Sequence, residues 1–206
     1  VIVPPAWGIP VILVVGIAVV FFGWWWDRRA TRIALEGYTP QPEVDAERAD
    51  DPDAAALLSR LEDAVTVPTA ANPAFLTLKP GPDGPAGPLA AVHRPLVLLA
   101  DAALSDPVAL VPALRHARAE QRPLVLVATE LDARVLETLD ANARTGRVTT
   151  LALTATPEAL ARLSELTAAT PLTAQDWTAG WLPANAWGTV DGWVADATRS
   201  WLLLPA

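Results

Sequence analysis

The chain has 206 residues, of which 52% are hydrophobic and 18% charged, and its formal net charge is −8. That length accommodates one globular domain with extensions, and the negative balance argues against nucleic acid or anionic headgroups as the main partner. Cysteine is absent, which excludes disulfides, thiolate metal sites and cysteine nucleophiles.

Residues 1–6 form a short uncharged tail, and no charge follows until Asp27. Trp7 to Trp26 reads WGIPVILVVGIAVVFFGWWW. At the helical rise this run spans about 30 Å, the hydrocarbon thickness of a bilayer, so a single transmembrane helix is expected over 7–26. Trp7 at one end and Trp24, Trp25 and Trp26 at the other match the aromatic belts at headgroup level. Pro10 falls in the first turn, where its missing N–H does least harm. Arg28 and Arg29 follow the apolar run instead of preceding it, so it does not read as a cleavable signal peptide. By the positive-inside rule the N-terminus lies outside the cytoplasmic membrane and the rest of the chain in the cytoplasm. Gly8, Gly16 and Gly23 fall within about 80° of one another on a helical wheel. Either they form a face on which another membrane helix packs, or they reflect the general frequency of glycine in membrane helices.

Residues 27–53 read as a basic flank followed by an acidic, proline-rich linker without apolar period. Residues 36–63 hold nine acids and two arginines, most of the net charge. The cluster Asp45, Glu47, Asp50, Asp51 and Asp53 lacks the glycine and terminal glutamate of an EF-hand loop, so it reads as a solvated spacer.

The soluble domain is expected over 54–206. A helix is predicted over Ala54–Val65, with Leu57, Leu58 and Leu61 on one side. PLVLLA (Pro95–Ala100) and PLVLVA (Pro123–Ala128) are short, wholly apolar runs and read as buried strands. A helix is predicted over Ser105–Gln121 with Val108, Leu110, Val111 and Leu114 inward. Another, capped by Thr129 and ended by Gly146, turns Leu131, Val135, Leu136 and Leu139 inward. Val148–Leu153 reads as a third strand, and Thr156-Pro157-Glu158 opens a helix with Leu160, Leu163 and Leu166 inward. Strands alternating with helices predict a parallel sheet with crossover helices. Gly192–Leu204 reads as a β-hairpin with Trp193/Ala195 and Trp201/Leu203 alternating around an Asp-Ala-Thr turn.

Several stretches occur in a familiar order: Asn72-Pro-x-Phe75, Lys79-Pro80, PLVLLADAALSD (Pro95–Asp106), Val111-Pro112-Ala113-Leu114, Pro123-Leu124-Val125, and Leu136–Gly146 with Asn142. In that order and spacing, from about Asn72 to Leu204, the chain resembles the apical domain of GroEL-type (group I) chaperonins. The equatorial and intermediate domains, which carry nucleotide chemistry in that family, have no counterpart here. The resemblance implies a peptide groove between two helices, Ser105–Gln121 and Thr129–Thr145. Its contributors would be Val111, Leu114 and Leu136, with Asp140, Ala141 and Phe75. Asp140 and Ala141 stand where the family has bulky aliphatics, and Ala74 where it has an aromatic, which weakens a general hydrophobic groove.

No dinucleotide, P-loop, zinc-protease or nucleophile-elbow motif is present. Neither of the two histidines, His93 before a strand and His116 beside Arg115 and Arg118 on the predicted helix, is expected to serve as a catalytic base. Asp101 ends the first apolar strand, a place α/β sheets use for chemistry, but it also corresponds to the family's structural Ala-Asp. No catalytic residue, cofactor, metal site or small-molecule substrate is expected. Trp177, Trp181 and Trp187 cluster in a loop-like stretch, either completing a small core or forming a contact surface, since tryptophan is enriched at interface hot spots. The expected function is a non-catalytic, membrane-anchored accessory or scaffold subunit of a larger membrane complex, of respiratory or photosynthetic type. Its partners would be the bilayer and the other subunits. The alternative is a membrane-tethered, peptide-binding holdase or assembly chaperone.

Overall fold

A computed structural model describes residues 52–79 and 87–205. The expected membrane segment Trp7–Trp26, its glycines Gly8, Gly16 and Gly23, the flanking Arg28 and Arg29, and nearly all of the linker lie outside those residues. Among the described residues no helix is long and apolar enough to cross a membrane. In chain order the elements are α1 (Pro52–Leu58), β1 (Val65–Pro68), β2 (Ala70–Ala71), β3 (Ala90–His93), β4 (Leu96–Leu104), α2 (Val111–Glu120) and β5 (Leu124–Leu131). They continue with α3 (Ala133–Arg144), β6 (Thr150–Thr154), α4 (Pro157–Thr167), α5 (Ala174–Ala179), β7 (Gly188–Thr189), β8 (Gly192–Ala195) and β9 (Arg199–Leu203).

The two apolar runs form the centre of a five-stranded sheet ordered β2-β6-β5-β4-β7. β4, β5 and β6 are parallel, with Leu96 opposite Leu124 and Leu124 opposite Thr150. Leu96–Ala100 and Leu124–Ala128 are buried without a break, as strands covered on both faces require. The edge strands β2 and β7 are short and antiparallel. On α2, α3 and α4 the buried positions recur at helical spacing: Ala113 and Ala117; Val135 and Leu139; Ala159, Leu160, Leu163 and Thr167. The expected parallel sheet of three strands with intervening helices is present. β4 and β5 run on past the ends of the apolar runs, to Leu104 and Leu131.

A second sheet, antiparallel and ordered β1-β9-β8-β3, was foreseen only as its central hairpin. Asp196 shapes that hairpin's turn. Its Oδ1 accepts from the Thr198 N–H (2.7 Å) and the Arg199 N–H (2.8 Å), and Oδ2 accepts from Arg199 Nε at 3.1 Å. Burial pushes the carboxyl pKa up, but the hydrogen bonds from Thr198 and Arg199 outweigh it and hold the group below the ordinary aspartate value. The interior is closed by Trp193, whose Nε1 donates to Ser200 Oγ at 3.0 Å, and Ser200 Oγ lies 2.7 Å from Thr69 Oγ1. All three residues are buried.

Three boundaries differ from expectation for identifiable reasons. The helix predicted over Ala54–Val65 stops at Leu58, and a 3₁₀ turn over Leu61–Asp63 leads into β1. The β-branched pair around Thr66 pairs with β9 instead, Val65 facing Leu202 and Val67 facing Ser200. Leu57 is nevertheless buried as foreseen, packed over Gly192 where no β-carbon would fit. Thr129 does not cap α3: β5 runs on to Leu131 alongside β4, and Asp132 caps the helix by accepting from the Arg134 N–H at 2.9 Å. The third strand starts at Thr150 instead of Val148, because the turn Thr145–Val148 is tied back to Ala141, Ala143 and Asn142.

Candidate protein-binding cleft

β4 outruns its buried segment. Its pairing with β5 is irregular between Ala100 and Ala103, and the strand then exposes Asp101 and Ala103. The chain leaves it through Asp106, whose Oδ1 accepts from the Val108 N–H at 2.9 Å, with Pro107 in the first position of the following turn. That turn, Pro107–Leu110, is 3₁₀, and only at Val111 does the chain continue as the α-helix α2. Three residues per turn place i and i+3 directly above one another. Val108 and Val111 therefore share one side, 70% and 40% exposed, while Leu110 points into the core with Ala113 and Ala117. The expected inward stripe of Val108, Leu110, Val111 and Leu114 is thus corrected: at about 100° per residue Val108 lies about 160° and Val111 about 100° from Leu110, so with Leu110, Ala113 and Ala117 facing the core the two valines face outward.

The second wall is α5. Thr173 and Asp176 form a reciprocal capping box, with the Thr173 N–H donating to Asp176 Oδ2 at 2.9 Å and the Asp176 N–H donating to Thr173 Oγ1 at 3.3 Å. The bonds from the Thr173 hydroxyl and N–H hold the Asp176 pKa below the ordinary aspartate value. Gly180 ends the helix at φ +64°, a left-handed position that favours glycine. A β-carbon there would lie 3.6 Å from Pro112 Cγ, so the end of α5 abuts the start of α2. Trp177 is 2% exposed at the base of this wall, and Trp181, just past Gly180, is 59% exposed.

Between the walls lies a cleft of about 510 Å³, lined among others by Ala103, Asp106, Val108, Val111, Pro112 and Trp177. Val108, Val111 and Trp181 are the exposed large hydrophobic side chains among the described residues; the two valines line this cleft, and Trp181 directly follows its lining residue Gly180 in the chain. The Trp177 Nε1–H is buried without a hydrogen-bond acceptor, an arrangement that costs about 1–3 kcal/mol.

The three tryptophans expected as one contact surface divide. Trp177 is core on a short helix, not a loop residue. Trp187 is half-buried and packs on His116 of α2, ring centroids 4.4 Å apart and tilted by 40°. Only Trp181 is open. The inter-helix groove is likewise altered. Phe75 is buried, and Leu114 and Leu136 are half-buried against the core. Asp140 is paired with Arg144 at 2.8 Å. Val111 remains as the groove's exposed aliphatic, and it also lines the cleft. The signal for the cleft was present in Ser105-Asp106-Pro107 and Trp177–Trp181, but their adjacency was not readable from either stretch alone.

A second cleft, of about 590 Å³, lies over the ends of β5 and β6 and is lined by Thr129, Thr154, Thr156 and Thr198 among others. The last three are already engaged: Thr154 donates to the Ala70 carbonyl, Thr156 accepts from the Ala159 N–H as the α4 cap, and Thr198 donates to Asp196.

Neither a protein-family model nor a curated protein sequence matches the chain. Solved structures do. Two crystal structures of the chaperonin gp146 from bacteriophage EL 2 (Pseudomonas aeruginosa) superpose with a TM-score of 0.52, at 17% and 18% identity. They cover 69% of this chain and 29% and 28% of the phage protein. An open-state monomer of a group II chaperonin from Methanococcoides burtonii gives a TM-score of 0.44 at 12% identity, covering 69% of this chain and 32% of that one. The chain therefore spans less than a third of the length of the chaperonins it matches. At this identity the likeness carries the fold alone: a mixed α/β, chaperonin apical-domain-like fold.

Proposed function

We propose that the domain is a non-catalytic protein-binding module, the docking part of a membrane-anchored accessory or scaffold subunit. The observation that carries the proposal is that Val108 and Val111 stand exposed together on one cleft. Exposed apolar side chains scattered singly need no explanation, whereas a contiguous set marks an interaction site. The apical-domain-like fold supports protein binding over small-molecule chemistry, although a fold by itself does not specify a function. In this reading Trp7–Trp26 is the anchor, Arg28 and Arg29 hold the domain on the cytoplasmic side of the membrane, and Gly8, Gly16 and Gly23 pack against a neighbouring subunit's helix. Purification of the full chain from native membranes in mild detergent tests it: stoichiometric co-purifying subunits are expected, and recovery as a free monomer overturns it.

A second reading is a membrane-tethered, peptide-binding holdase or assembly chaperone, for which the chaperonin-like fold is the support. Suppression of client aggregation by stoichiometric amounts of the full chain, followed by light scattering, would favour the holdase. No suppression, together with stable subunit association, leaves the scaffold.

A further inference from the structure

We infer that the edge of the domain where the three parallel strands begin is a docking surface for an acidic segment of this same chain, residues 43–51, which lie outside the described residues. Which partner the cleft above binds does not bear on it. The net negative charge conceals a division by position. β4, β5 and β6 are parallel, so their starts share one edge of the sheet and their ends the other. Arg94 and Arg122 each stand directly before the proline that leads into a strand, and Arg147 precedes β6 by three residues. Arg118 lies in the last turn of α2. Arg122 ties this turn to the start of β4: its backbone N–H donates to the Ala117 carbonyl at 3.1 Å, its Nε to the Arg94 carbonyl at 2.9 Å and its Nη2 to the Pro95 carbonyl at 3.0 Å. Arg94 and Arg118 are exposed. Among the described residues ion pairs are made by Arg144, Arg162 and Arg199, and none by Arg94, Arg118 or Arg122. Glu120 at the end of α2, and Asp191, whose carbonyl accepts from the Arg94 N–H, stand at the same edge without pairing to them. The opposite edge is acidic: β4 runs into Asp101 and β5 into Glu130, Asp132 caps α3, and Glu158 lies in the first turn of α4, with Arg134 as the basic residue there.

Charge and reach both select the occupant. Residues 43–51 carry Glu43, Asp45, Glu47, Asp50 and Asp51 against Arg48 alone, and complementary charge steers and orients a partner. The segment also joins the domain at this edge. It leads directly into α1, and Leu57 of α1 packs over Gly192, which pairs with His93, the residue before Arg94. Asp51 stands six residues before Leu57, about 9 Å at the helical rise. Nine extended residues reach about 30 Å, so the arginines lie within range. A segment joined so closely acts at an effective concentration on the order of millimolar, an advantage that the acidic edge of a second copy lacks. For an anionic bilayer the same five carboxylates are a source of repulsion. In the membrane-anchored reading, the docked segment would turn the starting edge of the sheet toward the anchor.

The chain has no cysteine, so a disulfide can be placed without competition. The test uses the full chain in detergent carrying Ala46→Cys and Ala119→Cys, the latter exposed in the last turn of α2 next to Arg118. The rate of disulfide formation under mild oxidation is followed by mass spectrometry. An intramolecular disulfide is expected. Arg94→Gln with Arg118→Gln should slow it roughly fivefold, as the loss of two exposed ion pairs implies. Salt at 1 M, where the Debye length is about 3 Å, should slow it likewise. Arg94→Glu with Arg118→Glu should abolish the disulfide, and adding Glu43→Lys, Asp45→Lys and Glu47→Lys should restore it, a recovery that a misfolded domain would not show. Absence of the disulfide, or a rate indifferent to the arginines and to salt, overturns the inference. A disulfide between two copies overturns it by naming a second copy as the occupant. In nanodiscs the rate is expected to be equal in neutral and anionic lipid, and a collapse in anionic lipid alone assigns the edge to the bilayer and overturns it.

Discussion

Two tryptophans are buried almost equally and treated oppositely. Trp193, fully buried in the antiparallel sheet, donates its indole proton to Ser200, which in turn meets Thr69. Trp177, 2% exposed at the cleft, donates to nothing among the described residues. Around Trp193 the strands β1, β8 and β9 close the interior, and the polar groups named above are bonded to one another. Around Trp177 the neighbours are exposed valines and a short helix stopped by glycine. The contrast separates a closed, fully bonded region from one beside which the apolar side chains Val108 and Val111 stand open to solvent. Buried donors are satisfied in the great majority of cases, and the Trp177 indole is an exception among the described residues.

Substitutions can break or sharpen that contrast. The largest effect is expected at Trp193→Ala, which opens a cavity in the closed sheet and should cost about 3–5 kcal/mol in a denaturant melt. A loss below about 1 kcal/mol would remove the distinction between the regions. Ser200→Ala strands the Trp193 indole and the Thr69 hydroxyl together and should cost about 1–3 kcal/mol.

Asp196 predicts a pH dependence. Its folded pKa lies below the ordinary aspartate value of 3.8, so its contribution is complete above the unfolded pKa and lost as pH falls through the folded one. Asp196→Asn should flatten the stability profile below about pH 4, and an unchanged acid limb would refute the turn's role. Trp177→Phe removes a donor that has no partner, so it should cost less than the same change at Trp193, within about 1 kcal/mol of neutral. Smallest of all, Val108→Asp should shift stability by no more than about 0.5 kcal/mol, because the side chain is already in water. A large loss at Val108 would mean that the valine supports the fold instead of facing a partner.

Much of the parallel layer was legible in advance. Pro95–Ala100 and Pro123–Ala128 are apolar throughout, a pattern that in a short run bounded by turn residues is compatible with little else than a strand covered on both faces. Thr156-Pro157-Glu158 carried its helix start in the residues themselves, and Thr156 does cap α4. The Asp196–Thr198 turn was equally local. By contrast, Val65–Pro68 and Ala90–His93 become strands only because β9 and β8 are there to pair with them, and edge pairing leaves little trace in the paired residues' own composition.

The site divides along the same line. That tryptophan would matter in 177–187 was readable from composition. Which of the three is core, which packs on His116 and which is open depended on the chain beside them.

The sequence by itself determined the parallel strands, the helix start at Thr156 and the hairpin, because each is written in consecutive residues through period, caps and turn chemistry. It also determined that residues 7–26 are uncharged and apolar over the length of a bilayer crossing. Only the tertiary structure decided the outward turn of Val108 and Val111, the burial of Trp177 and Phe75, and the cleft that joins residues 103–112 to 174–180. The physical reason is that exposure and adjacency belong to pairs of segments distant in the chain. Leu110, Ala113 and Ala117 took the core side at the start of α2, and that choice left Val108 and Val111 outside.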